Sequence, residues 1–248
     1  MSVNPTPASP AISDVKELSR RAARSIRHPL ARTLLALTFT TGLIDAVSYL
    51  GLGHVFTANM TGNVVLLGFG IAGAGGLPVV APLVSLGAFL LGAGAGGVFG
   101  SKMADRQPGY LSYAMVIEAS LIAIAVVLVA VLNVRPNALS AYAVITLLAL
   151  AMGVRNATVR RIGVPDLTTT VLTMTLTGFA ADSPAAGGSG AGSTRRAAAV
   201  LAMLTGAIAG ALLVKSSLVV PLLAAASLAL VTGLVYVPAI RAEERRAR

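Results

Sequence analysis

Two clusters of short polar side chains interrupt otherwise apolar stretches of the sequence. Their members are Thr57, Asn59, Thr61 and Asn63 in the first cluster, and Thr168, Thr169, Thr170, Thr173 and Thr175 in the second. If each cluster opens a short half-helix, its hydroxyls, amides and free N–H groups could replace the hydration shell of an anion or another small polar solute. The alternative is that these side chains cap helices and join them by hydrogen bonds, with no ligand. Both clusters are therefore candidate substrate-binding segments.

Two acidic residues also lie within apolar stretches, where a charge is costly and usually faces a partner or a water-filled cavity. Asp45 lies inside the first long apolar run, and Glu118 lies inside a later one. Asp45 is a candidate for substrate binding and for proton coupling, and Glu118 is a candidate for proton coupling. The alternatives are a structural hydrogen bond from Asp45 to Ser48 or to a nearby threonine, and an ion pair between Glu118 and an arginine.

The composition indicates that lipid surrounds these residues. The chain has 248 residues, of which 56% are hydrophobic and only 11% are charged. Soluble domains carry roughly 25% charged residues, and a water-exposed fold of this size could not cover its surface with so few. Runs such as 121–132 are continuously apolar, which favours spanning helices over the alternating strands of a membrane barrel. The sequence therefore predicts an all-α membrane protein whose partner is the lipid bilayer.

This pattern divides the chain into eight apolar segments. They are 33–53, 58–75, 79–100, 111–132, 138–158, 166–181, 196–214 and 217–238. The second and the sixth segments differ from the others because they contain the two polar clusters. Polar, irregular backbone at membrane depth is tolerated only where protein or a water-filled cavity surrounds it. These two segments are therefore predicted to re-enter the membrane without crossing it.

The distribution of basic residues favours six crossings over eight. With six spans and cytoplasmic termini, all but two of the 19 Lys and Arg residues lie on the cytoplasmic side, and the exceptions are Arg135 and Lys215. The same bias explains the net charge of +10, so no nucleic-acid partner is expected. The predicted organisation is a disordered basic cytoplasmic arm over 1–32, one transmembrane domain over 33–240 and a basic cytoplasmic tail over 241–248.

The two halves of this domain resemble each other. The matches are Gly42–Ala46 with Gly153–Ala157, which pairs Asp45 with Asn156, and Thr57, Thr61 and Asn63 with Thr169, Thr173 and Thr175. They predict repeat one over 33–132 and repeat two over 138–238, each of about 110 residues. With six crossings the second repeat is inverted relative to the first, as in many secondary transporters; with eight crossings the repeats would be parallel. Asn156 becomes an uncharged candidate binding residue.

Each half also carries two glycines four residues apart, at Gly92 and Gly96 and again at Gly206 and Gly210. Small residues allow helix backbones to approach closely. The pattern, together with the small residues of 93–97, therefore predicts a close helix–helix contact. The same glycine-rich helices could pair between two copies of the chain, which leaves a homo-oligomer open.

Three arginines lie at the predicted cytoplasmic end of the fifth segment, at Arg155, Arg160 and Arg161. They are interpreted as anchors of the cytoplasmic face, where basic residues concentrate. Arg155 is adjacent to Asn156, so it could instead offset the charge of an anionic substrate.

At this point a family resemblance can be stated. Residues 42–63 (GLIDAVSYLGLGHVFTANMTGN) resemble the signature of the YoaK-like family, and residues 152–157 (MGVRNA) and 164–173 (VPDLTTTVLT) are similar to its second signature. The similarity covers nearly everything outside the two tails. The resemblance implies a multi-pass protein of the bacterial inner membrane, and it supplies no substrate or reaction.

These features predict a permease for a small polar or anionic solute, bound where the two polar clusters meet and coupled to protons through Asp45 or Glu118. A channel-like pore and a non-transporting scaffold or accessory subunit are the alternatives left open. The sequence contains no cysteine, no Ser/His/Asp arrangement and no metal-ligand cluster. Neither an enzyme nor a bound metal or cofactor is therefore predicted.

Overall fold

The computed structural model describes residues 26–102, 107–164, 167, 169 and 172–247. Within these residues the chain forms α-helices joined by turns and short 3-10 segments, which confirms the all-α prediction. The helices are α1 (Pro29–Gly51), α2 (Met60–Ile71), α3 (Val80–Lys102), α4 (Gln107–Val131), α5 (Leu139–Ile162), α6 (Leu172–Ala181), α7 (Ser193–Val214) and α8 (Val219–Ala247). The basic arm before residue 26, as well as Thr168 and Thr170, lies outside the described residues.

Five of these helices are long and apolar enough to cross a bilayer, namely α1, α3, α4, α5 and α7. In α8 the described apolar stretch is shorter, from Val219 to Val235. Large apolar side chains such as Leu91, Val127 and Leu234 point away from the protein and are largely exposed. An apolar outer surface of this kind is stable only in hydrocarbon, so the chain is a multi-pass membrane protein.

Local sequence sets where the key helices begin and end. Pro29 occupies the first turn of α1, where its missing N–H is not needed, and His28 Nδ1 accepts a hydrogen bond from the Leu30 N–H at 3.2 Å. Gly163 ends α5 in the left-handed conformation, with φ of 68°, which glycine adopts without steric strain.

The helices α2 and α6 are too short to cross the membrane. They contain 12 and 10 residues, which correspond to lengths of about 18 and 15 Å at the helical rise. The hydrocarbon core of a bilayer is about 30 Å thick. Each of these helices is therefore only about half as long as the hydrocarbon core is thick.

Helix packing joins the two halves of the chain. The helix α1 packs against α7 and α8, while α5 packs against α3 and α4. The short helices stay within their own halves, α2 on α3 and α6 on α7, and α4 packs against α8. The first helix of each half thus packs against the third and fourth helices of the other half.

Glycines form the closest of these helix contacts. Gly92 and Gly96 contact α5, whereas Gly94 and Gly97 face open space, so the contact follows every fourth residue. Matched glycines of the two halves meet matched partners. Gly42 contacts Met203 and Ala207, as Gly153 contacts Phe89 and Ala93. Gly92 contacts Leu150, as Gly206 contacts Phe39, and Gly96 contacts Ala157, as Gly210 contacts Ala46. The α3–α5 contact and the α7–α1 contact are therefore built alike.

A methyl group on Gly92 should disrupt the contact between α3 and α5. An added Cβ would lie under 3.0 Å from the backbone of Leu150, which cannot move without displacing α5. We expect Gly92→Ala to lower the free energy of unfolding by about 1–3 kcal/mol. The control is Gly94→Ala on the same helix, where a Cβ meets nothing within 4 Å. Thermal unfolding in detergent should separate the two variants, and equal midpoints would refute the packing described.

Candidate functional site

The loop from Leu52 to Asn59 connects α1 to α2 without regular structure, although apolar helices surround it. Asp45 supports the end of this loop: its Oδ1 accepts hydrogen bonds from the N–H groups of Thr57, at 3.0 Å, and Ala58, at 2.9 Å. Backbone N–H groups that are buried away from water, as those of Thr57 and Ala58 are, need such partners. The structure therefore gives Asp45 a loop-holding role, with the threonine backbone as its partner. The Ser48 hydroxyl instead donates to the Asp45 carbonyl oxygen, at 3.2 Å.

Asn63 supports the middle of the same loop. Its Oδ1 accepts from the Phe56 N–H at 2.9 Å, and its Nδ2 donates to the Phe56 carbonyl oxygen at 2.6 Å. Ser85 of α3 donates to the same carbonyl at 2.7 Å, and Asn63 also donates to the Ser85 hydroxyl at 3.2 Å. Asn63 and Ser85 are fully buried. Together they fix the loop between α2 and α3.

A cavity of about 1360 Å³ lies beside the amino end of α2, between the two halves of the chain. The loop described above forms part of its wall, together with α3 and the carboxyl-terminal part of α5. The described residues that line it are Tyr49, Phe56, Ala58, Asn59, Met60, Thr61, Gly62, Val65, Leu66, Phe89, Ala93, Gly97, Tyr110, Asn156, Ala157, Val159, Arg160, Arg161, Gly163, Val164 and Thr173. The cavity therefore collects side chains from both halves.

Four of the residues predicted from the sequence line this cavity, namely Asn59, Thr61, Asn156 and Thr173. Thr61 and Thr173 are matched positions of the two halves, and both are exposed. Asn59 caps α2 by accepting a hydrogen bond from the Gly62 N–H at 3.3 Å, so the capping alternative holds for this side chain. The Asn156 Nδ2 donates to the Met152 carbonyl oxygen at 2.8 Å.

The other predicted residues lie behind the cavity wall or outside the described residues. Asp45, Thr57 and Asn63 are buried around the loop from Leu52 to Asn59. Thr169 is also buried, as is Thr175 within α6. The hydroxyl oxygens of Thr57 and Thr169 have no hydrogen-bond partner among the described residues, and the same is true of Asp45 Oδ2. Substrate contact by these side chains stays a prediction. Thr170 lies outside the described residues.

Arg155 does not anchor the cytoplasmic face, so that interpretation of the sequence was wrong. The side chain is buried in the protein and forms a double hydrogen bond to Glu118 of α4, with Nε donating to Oε2 at 2.9 Å and Nη2 donating to Oε1. Its Nη1 donates to the Leu37 carbonyl oxygen at 2.9 Å and to Thr41 Oγ1 at 2.8 Å. A charge at this depth is tolerable because each donor atom has a partner.

The pairing alternative for Glu118 is therefore the one observed. Both of its carboxylate oxygens accept from the Arg155 guanidinium. Proton coupling through Glu118 stays a prediction that gains nothing from this geometry. Arg155 and Glu118 instead connect α1, α4 and α5 at membrane depth.

Sequence reasoning missed two features of the cavity. Arg160 and Arg161, interpreted as anchors, line it, and the Arg161 guanidinium lies 5.9 Å from the centre of the Tyr110 ring. Aromatic rings also line it, including the stacked pair Tyr49 and Phe56, whose centroids are 4.9 Å apart. The closeness of both arginines to Asn156 in the sequence was a signal that could have placed them at the site. The aromatic residues gave no such signal.

Comparison with known proteins identifies the family. The family model described as "Protein of unknown function (DUF1275)" matches residues 33–235. The chain belongs to the DUF1275 family. One curated relative of this DUF1275 protein is the UPF0700 transmembrane protein YoaK of Bacillus subtilis (strain 168), which is 33% identical over 152 residues. This confirms the YoaK-like resemblance seen in the sequence.

The match to that relative covers 60% of the DUF1275 chain and 66% of the relative's own length, which is just under two thirds. The relative's description as a transmembrane protein agrees with the multi-pass fold found here. No solved structure matches the chain. The family match contains all the described residues that line the cavity and support the loop.

Proposed function

We propose that this protein is a transporter of a small organic anion and not an enzyme, with the cavity between its two halves as the binding site. The observation that carries the proposal is the lining of this cavity, which combines two arginines with polar groups from both halves. The lining contains no acidic residue among the described positions. Its charge therefore favours an anion, and its aromatic walls favour a solute with an apolar body.

The matched glycine contacts support two structural repeats. Helix α1 meets α7 through the same positions by which α5 meets α3. Two units that exchange helices in this reciprocal way are related by a pseudo-two-fold axis, and the cavity lies where they meet. Many secondary transporters place their substrate at such an interface and alternate access by rocking one unit against the other.

The placement of the short helices supports re-entrant segments and hence inverted repeats. Asn63, in the first turn of α2, bonds Ser85 of α3, whereas a Cβ at Gly70 would lie 3.2 Å from the Pro78 carbonyl oxygen, just before α3 begins. The helix α2 thus runs beside only the first half of α3. Similarly, the Gly178 carbonyl near the end of α6 accepts from Arg196 in the first turn of α7. With α8 as the sixth span, the second repeat is inverted.

The basic residues support a cytoplasmic opening of this cavity in a bacterial inner membrane. In the six-span arrangement Arg160, Arg161 and Lys102 lie at helix ends on the same side as both termini. Basic residues concentrate on the cytoplasmic side of spanning proteins. The cavity, which contains two of these arginines, would then face the cytoplasm.

Flux measurements on reconstituted protein test the proposal. Proteoliposomes would be offered labelled anions that do not cross lipid unaided: a dicarboxylate, an arylsulfonate and inorganic phosphate, with choline and a neutral sugar as controls. We expect saturable uptake of at least one anion. Replacing Arg160 and Arg161 with glutamine removes two charge-assisted contacts and should raise its KM by about tenfold or more.

The matched control is Lys102→Gln, which removes a charge at the end of α3 that does not line the cavity. Its KM should equal that of the unaltered protein. Uptake of no anion above protein-free liposomes would overturn the proposal. Unitary currents in planar bilayers would indicate a pore, and a stoichiometric partner in the absence of flux would indicate a scaffold.

A further inference from the structure

A second polar site lies behind the cavity wall, at Asp45 and Thr57. One carboxylate oxygen of Asp45 accepts the two backbone N–H groups of the loop, and the other, Oδ2, has no hydrogen-bond partner among the described residues. The hydroxyl of Thr57 also has none. Asp45 is 5% exposed and Thr57 is fully buried. Because the Thr57 N–H bonds Asp45 Oδ1, the two residues are in direct contact, and each carries one buried oxygen with no hydrogen-bond partner.

No basic side chain among the described residues bonds Asp45 directly. Arg155 on α5 uses all three of its nitrogens on Glu118, on the Leu37 carbonyl and on Thr41. The parts of α7 and α8 at membrane depth, 197–214 and 219–235, contain no charged residue. His54, in the loop, is exposed. The buried set of Asp45, Glu118 and Arg155 therefore carries one uncompensated negative charge.

We infer that Asp45 and Thr57 bind a monovalent cation, either a proton or Na⁺, through Asp45 Oδ2 and Thr57 Oγ1. An isolated carboxylate in a low-dielectric interior is unstable unless it is neutralised or paired. A proton on Oδ2 neutralises the carboxylate. A sodium ion is bound by the two oxygens directly, and carbonyl oxygens of the irregular loop complete its shell.

The counterpart of Asp45 in the second half supports this assignment. The matched position is Asn156, whose amide has the same shape and no charge. An amide at this position needs no cation. The repeats thus differ in charge at this matched position, and the cation site belongs to the first half alone.

The site is connected to the cavity through the loop. The Ala58 N–H donates to Asp45 Oδ1, while Ala58 itself lines the cavity, and the next residue, Asn59, caps α2. A cation on Oδ2 withdraws electron density from the carboxylate and weakens its acceptance from the Thr57 and Ala58 N–H groups. Cation occupancy therefore shifts the amino end of α2, and this coupling, unlike the binding itself, rests on the proposed transport function.

Thermal unfolding of the purified protein tests the binding without any solute. One arm titrates NaCl against choline chloride at fixed pH, and the other varies pH without Na⁺. If the cation is Na⁺, the unfolding midpoint should rise by about 3–5 °C at about ten times the dissociation constant. If it is a proton, the midpoint should instead depend on pH in the second arm alone.

Two variants assign the response to the site. Asp45→Asn keeps the acceptor for the loop N–H groups and places an amide where the cation binds. Its unfolding midpoint should therefore lose the response to Na⁺ or to pH that the unaltered protein shows. Thr57→Val keeps the backbone N–H and removes only the hydroxyl. It should raise the cation concentration needed for the same shift of the midpoint by about tenfold. Ser48→Ala is the control and should respond fully.

The inference is overturned if the unaltered protein shows no specific response in either arm. It is also overturned if Asp45→Asn and Thr57→Val keep the full response. Anion uptake that ignores both cations would overturn the coupling and leave the proposed transport function intact. Cation binding without uptake of any anion would overturn the proposed transport function and leave the cation site intact.

Discussion

Replacing Arg155 with methionine is expected to lower the free energy of unfolding by about 3–5 kcal/mol. The substitution leaves the Glu118 carboxylate buried with no partner, because both of its oxygens bond the guanidinium. An uncompensated buried charge is among the most destabilising changes a protein can undergo. The two acceptors on α1 suffer less, since the Thr41 hydroxyl still donates to the Leu37 carbonyl at 2.9 Å.

A double variant separates loss of the ion pair from loss of side-chain volume. Removing both charges, with Arg155→Met and Glu118→Leu together, should recover more than half of the lost stability. Arg160→Met is the control, since it makes the same substitution at an exposed position of the same helix. It should change stability by no more than about 0.5 kcal/mol. Denaturation in detergent followed by circular dichroism measures all three, and equal losses for Arg155→Met and Arg160→Met would refute the pairing.

The membrane class and the eight helical segments could be predicted from the sequence because they follow from local composition. The predicted segment 58–75 contains α2, and 166–181 contains α6. Their short apolar parts and polar first turns set them apart from the other six segments, and both form short helices. The glycine pairs also indicated a close helix contact correctly. These are signals that a window of about 20 residues contains.

The polar contacts could not be predicted because they join residues distant in sequence. Arg155 and Glu118 are 37 residues apart in the sequence, and the adjacent Asn156, which set Arg155 apart from Arg160 and Arg161, gave no indication of Glu118 as its partner. The positive-inside rule therefore grouped all three arginines together. Likewise, the sequence marked Asp45 as unusual, while its partners in the loop became visible only when α1 and α2 were placed side by side.

The exchange of helices between the halves was also hidden. The repeat predicted that α3 and α7 have matching glycines, but not which helices those glycines contact. A contact within one half would have satisfied the same pattern. The structure pairs α3 with α5 and α7 with α1, and residues of both halves line the cavity.

Alternating access predicts that matched positions of the two repeats are reached from opposite sides of the membrane. Ala93 lines the cavity on α3, and its counterpart on α7 is Ala207, which is not among the described lining residues. When the two halves rock, the contact between α1 and α7 should open as the contact between α3 and α5 closes. The sequence contains no cysteine. Each of the variants Ala93→Cys and Ala207→Cys would therefore carry a single cysteine, and no other residue would be labelled in its place.

The cysteines would be labelled with a membrane-impermeant maleimide in right-side-out and inside-out vesicles. We expect Ala93→Cys to react from the side that bears Arg160 and Arg161. Ala207→Cys should react from the other side and about 10–1,000-fold more slowly, because the alternative conformation is the minor state. The control is Ala95→Cys, at an exposed lipid-facing position of α3, which should react from neither side.

This pair of labelling rates is the most direct test of two inverted repeats around a shared cavity. Reaction of Ala93→Cys and Ala207→Cys from opposite faces, with Ala95→Cys unreactive, is the predicted result. Reaction of Ala93→Cys and Ala207→Cys from the same face would contradict it, as would labelling of Ala207→Cys no faster than that of Ala95→Cys.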